Sequence, residues 1–141
     1  MSTPNPMLAP VVALVAWTLV MWLWMYATRI PAIVKARMRL DPNAPRGEQM
    51  AQLPPQVRWK ADNYNHLMEI PTIFSAVALV LALLGDSSTI SVGLAWAFVI
   101  LRVVHSLWQA LFNVIQVRFA LFVLSTLPLF GLTFRAAQAV F

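Results

Sequence analysis

From Met7 to Ala27 the chain carries no charged side chain. A run of that length matches the roughly 20 apolar residues needed to cross about 30 Å of hydrocarbon. It is too long for the core of a secretory leader, has no basic stretch before it and no clear small-x-small cleavage site, so it reads as a retained helix. Three more apolar runs follow, and the composition agrees with them. Of 141 residues, 60% are hydrophobic and 11% charged, where soluble domains carry about 25% charged residues. The chain is expected to form one integral membrane domain over 1–141, all-α, a four-helix up-down bundle. Its helices are expected at about 7–28, 55–84, 90–113 and 117–139, with a basic loop over 29–54.

The second run, Ile70 to Leu84, is too short alone and must borrow the polar turns before it. Pro54-Pro55 can open that helix, and Pro71 is expected to kink it. Orientation follows from basic residues. Arg29, Lys35, Arg37, Arg39, Arg46, Arg58 and Lys60 flank the first connection, Arg118 adds to the same side, and only Arg135 stands on the other. That count puts both termini outside and the first loop in the cytoplasm, at a bacterial inner membrane or, in a eukaryote, the endoplasmic reticulum. The pI near 10.8 is read as topology signal and contact with membrane lipids, not nucleic-acid binding. There is no cysteine, so any thiol chemistry must come from a ligand. Two histidines are too few for a convincing metal cluster. Trp22, Trp24 and Tyr26 suit an interfacial belt.

Two polar stripes interrupt this pattern. Arg58, Asp62, Asn65, Glu69 and Thr72 recur at helical spacing on one face, and Arg102, His105, Ser106, Gln109 and Asn113 do the same one helix later. Ionised groups facing lipid cost several kcal/mol, on the order of 3 or more. Glu69 and Arg102 are therefore expected to face protein or a water-filled cavity, and could pair. The stripes should overlap in the cytoplasmic half of the bilayer, with Arg118 closing the same end. A pocket of this charge suits a small zwitterionic or anionic ligand. Plainer readings stand beside it: Arg118 and Arg58 as interfacial charges, Arg102 as a structural partner of Glu69, His105 and Asn65 as interhelical hydrogen-bonding groups.

At these residues the chain resembles the MAPEG superfamily, the membrane-associated proteins of eicosanoid and glutathione metabolism. The resemblance lies in "RWKADNYNHLMEIPTIF" at the second helix and "LRVVHSLWQALFNVIQVRF" from the third into the fourth. It implies a homotrimer of four-helix subunits that binds glutathione between neighbours. The residues matching the family's glutathione contacts are Arg58, Asn65 and Glu69, with Pro71 following, and Arg102 on the third helix. His105 and Gln109 stand where the family has tyrosines. Asn65 and Glu69 are four apart, where the family's pair is usually three apart. Arg118 matches the arginine that activates the glutathione thiol, making it the expected catalytic residue. The implied activity is a glutathione-dependent transferase or peroxidase, with glutathione as co-substrate and a lipophilic small molecule as partner. The alternative is a non-catalytic lipid-binding or scaffold protein of the same fold.

Overall fold

A computed structural model describes residues 3–141. Five α-helices form the bundle: α1 Leu8–Lys35, α2 Pro55–Leu67, α3 Ile70–Leu83, α4 Thr89–Leu111 and α5 Ile115–Val140. A short 3-10 turn, Met50–Gln52, precedes α2. No strand occurs among the described residues. With α2 and α3 taken as one crossing, four helical segments are long and apolar enough to span a membrane.

The expected second helix over 55–84 is two helices, and Pro71 gives the reason. Its ring would clash with the carbonyl four residues back, at Leu67, and it has no N–H to give that carbonyl. The chain leaves α-geometry at Glu69 (φ −91°, ψ −107°) and restarts at Ile70, so Pro71 falls in the first turn of α3, where a missing N–H costs nothing. The first helix also differs from expectation. It runs through Pro31 to Lys35 rather than stopping near residue 28, because hydropathy marks where the bilayer ends and not where the helix does.

Each helix turns one apolar stripe inward and leaves the rest for lipid or partners. Val11, Leu14, Met21 and Met25 form that stripe along α1, while Val12, Val15, Leu19 and Leu23 are exposed. Phe74 of α3 stacks on Phe98 of α4 with centroids 4.3 Å apart. The α4–α5 pair packs most extensively. At Gly131 a Cβ would lie 3.1 Å from Cδ1 of Leu94, so glycine permits this approach.

A clasp closes the end opposite the long loop. Gly85 takes φ +77° and ends α3. Asp86 then accepts the backbone N–H of Ser88 at 2.9 Å and the Ser91 hydroxyl. Arg135 of α5 reaches across, donating Nε to Ser91 Oγ at 2.6 Å and Nη2 to Ser88 Oγ at 2.9 Å. Burial alone would push the Asp86 carboxyl up. The hydrogen bonds from Ser91 and Ser88, with Arg135 beside it, outweigh burial and hold it at about 2.

Candidate functional site

The opposite end is organised by a polar seam between α2 and α4. Antiparallel helices bring residues of the two segments together in rungs one turn apart, and polar groups occupy three successive rungs. Lys60, buried, donates to the Gln56 carbonyl at 2.9 Å and reaches the Ala110 carbonyl at 3.5 Å, with its ammonium 5.1 Å from the Trp24 ring. Asn63 Nδ2 donates to Ser106 Oγ at 2.5 Å. His66 and His105 meet edge to face, ring centroids 6.3 Å apart. Burial explains the pattern: Lys60, Asn63 and Leu67 are the inward face of α2, and Arg102, His105, Ser106 and Gln109 belong to that of α4.

The seam leaves polar atoms without partners. Arg102 is 1% exposed. Its guanidinium lies between the rings of Phe98 and Phe122, at 5.4 and 5.1 Å from their centroids. Its Nε and Nη2 have no hydrogen-bond acceptor. Glu69 does not pair with it; the carboxylate turns back to His66, Oε2 to Nδ1 3.1 Å. Gln109 is fully enclosed in the protomer with both amide atoms unpartnered.

The remaining expected residues divide between two cavities on different sides of α2. One, of about 390 Å³, is lined by Arg29, Arg46 and Arg58 together with Asp62 and Asn65. It joins the end of α1, the connecting loop and the outer face of α2. Arg29 Nε is buried there without an acceptor. The other, of about 360 Å³, is lined by His66, His105, Arg118 and the apolar Ile115, Phe119 and Phe122. Asn113 ends α4 in a left-handed conformation (φ 54°), which asparagine tolerates. Its side chain then accepts Arg118 Nη1 at 2.6 Å. That bond aims the guanidinium, and Arg118 Nε is left buried with no acceptor.

Arg58 and Asn65 therefore share one cavity, and His105 and Arg118 the other. Glu69, Arg102 and Gln109 line neither. Sequence spacing had put Asn65 and Glu69 on one face; the break at residues 68–69 separates them. Residues not singled out from the sequence as site residues are Asn63, His66, Arg29 and Arg46. The first two were legible in principle, as they follow Lys60 at three-residue intervals. The arginines were not, because a folded-back loop brings them together.

Anions are what such cavities can hold. Arginine keeps its charge, presents a rigid fork of donors and suits carboxylates and other anions. The two histidines beside it add groups able to move a proton. No set of three or more His, Cys, Asp or Glu side chains among the described residues could hold a metal ion. No curated protein and no solved structure matches the chain. The MAPEG family model does match, over residues 7–138. Nearly its full length, including all but the last two residues of the four membrane-crossing segments, thus lies within one description, and the chain belongs to the MAPEG family.

Proposed function

We propose that the protein is a glutathione-dependent transferase or peroxidase acting on lipophilic electrophiles within the membrane, and that it works as a homotrimer. The observation that carries this reading is the pair of cavity-lining arginines with buried, unfilled donors: Arg29 and Arg118 each hold an N–H with no acceptor. Burying such donors unpaired costs about 1–3 kcal/mol each, and more for charged groups. An anionic ligand removes that cost. Glutathione has two carboxylates for the cavity of Arg29, Arg46 and Arg58, and a thiol for the cavity of Arg118. Since the two cavities lie on different sides of α2, glutathione sits between subunits, using one cavity from each neighbour. The basic end faces the cytoplasm, where glutathione is dissolved, and a bacterial inner membrane suits the charge asymmetry.

Arg118 activates the thiol. A free thiol has a pKa near 8.5, and an adjacent guanidinium favours the thiolate without itself titrating. The thiolate attacks an electrophilic carbon, or a hydroperoxide, arriving from the lipid phase across Phe119 and Phe122. Arg118→Ala is expected to lower turnover of a chlorodinitrobenzene by about 100-fold or more, in line with removal of one charge-stabilising donor. Glutathione binding, read by calorimetry in detergent, should weaken only a few-fold, about 1 kcal/mol.

A second reading has its own support. Gln109, at a family tyrosine position, is enclosed in the protomer and reaches neither cavity. Loss of that contact favours a protein that binds lipid or glutathione without chemistry. Binding without turnover in the wild type would select it.

A further inference from the structure

Resting on the glutathione reading and extending it, we infer that His66, oriented by Glu69, is the base that removes the glutathione thiol proton. The helix break carries the argument. Because the chain turns at Met68–Glu69, the Glu69 carboxylate folds back onto the last turn of α2, and its Oε2 lies 3.1 Å from His66 Nδ1. A carboxylate only accepts at this distance, so Nδ1 carries the hydrogen and Nε2 is left as the basic nitrogen. The His66 ring lines the same cavity as Arg118. Base and thiolate-stabilising cation thus share one hollow, and a third group fixes the base, the arrangement that activates a nucleophile.

His105 is the competing candidate, and its surroundings argue against it. It is 4% exposed, has no carboxylate partner, and sits among Arg102 of its own helix, His66 of α2 and Arg118 of α5. A proton placed on it has no acceptor beyond and two cations beside it. His66 has a side chain 36% exposed and Glu69 one 62% exposed in the protomer, so His66 is the more open of the two histidines to a ligand in the cavity. The charged and titratable groups facing His66 are Glu69 from the α2–α3 junction, His105 from α4 and Arg118 from α5.

The step balances without any further reagent. His66 Nε2 takes the proton of the S–H bond, and the bonding pair stays on sulfur as a thiolate held by Arg118. The thiolate forms a C–S bond with the aryl carbon of a chlorodinitrobenzene, and chloride leaves with the electron pair of the C–Cl bond. The imidazolium then returns its proton to solvent.

The test uses the full chain in detergent, with glutathione and the chlorodinitrobenzene as probes. Three readings are taken on each variant: thiolate ultraviolet absorbance on adding glutathione, glutathione affinity by calorimetry, and kcat/KM against pH. His66→Gln is expected to lower kcat by about 100-fold, to abolish the acid limb of the pH profile and to leave affinity within a few-fold. Glu69→Gln should displace that limb while keeping part of the rate, an effect that loss of packing alone would not produce. Thermal unfolding of both variants guards against misfolding, and His105→Gln serves as the contrasting variant, with its acid limb retained. An active wild type whose His66→Gln variant keeps the same pH profile and thiolate signal overturns the assignment. A wild type that binds no glutathione overturns the ligand reading first, and this assignment with it.

Discussion

Arg102 is a buried cation, 1% exposed, with no hydrogen-bonded counter-ion. A cation taken out of water without a hydrogen-bonded counter-ion is destabilising by several kcal/mol, on the order of 3–5 when a pair is broken. The flanking Phe98 and Phe122 rings recover about 2 kcal/mol each when the contact is desolvated. Those rings offset much of the cost but leave Nε and Nη2 without acceptors. Replacing it with methionine, similar in length and apolar, should therefore not weaken the fold. Arg102→Met is expected to unfold in detergent at the same temperature as the wild type or a higher one, and to bind glutathione about 10-fold more weakly if the guanidinium supports the ligand, about 1.4 kcal/mol. A sharp drop in unfolding temperature would instead mark Arg102 as a structural group whose partner lies in a neighbouring subunit. His66 and Asn63 make the complementary point. Both are polar groups on an otherwise inward face, and each finds its partner on α4 or at the helix break rather than along its own stripe.

Among the elements, the α3–α4 turn and α5 depend on the Asp86 clasp. Its carboxyl is held at about 2, below the unfolded value near 3.9. A depressed carboxylate contributes stability that is fully present above the unfolded value and is lost as pH falls through the folded one. The window therefore runs from about pH 4 downward to about pH 2. Asp86→Asn is expected to lower stability by about 1–3 kcal/mol at neutral pH, and to flatten the acid dependence of thermal unfolding seen in the wild type. The crossings themselves were legible from apolar run length, because lipid imposes one constraint on every residue of a span. The clasp was not: Arg135 reads as an outside charge, and only the packing of α5 on α4 brings it to Ser88 and Ser91. The site was legible as a set of residue types, less so as a place. Helical spacing groups Asn65 with Glu69; Pro71 marks the kink in the sequence, but not that the chain leaves helical geometry as early as Glu69.

For the whole molecule, the division of the arginines between two cavities is the property that an assembly must answer. If glutathione spans a subunit boundary, Arg58→Ala and Arg118→Ala each disable every site when expressed alone. Co-expressed and isolated as mixed trimers, they should regain activity, because some boundaries then join an intact Arg58 to an intact Arg118. Mixed trimers without recovered turnover would place the whole site inside one protomer. One further result follows from the interrupted crossing. α3 contributes only 14 residues, about 21 Å of rise, against a hydrocarbon layer of about 30 Å. The break nevertheless keeps its own backbone bonds: Met68 N–H donates to the Asn65 carbonyl, Glu69 N–H to that of His66, and the Glu69 carbonyl accepts from Thr72 N–H. A crossing interrupted in this way can bend inside a hydrocarbon layer without drawing water to the bend, because no peptide group there is left seeking a partner.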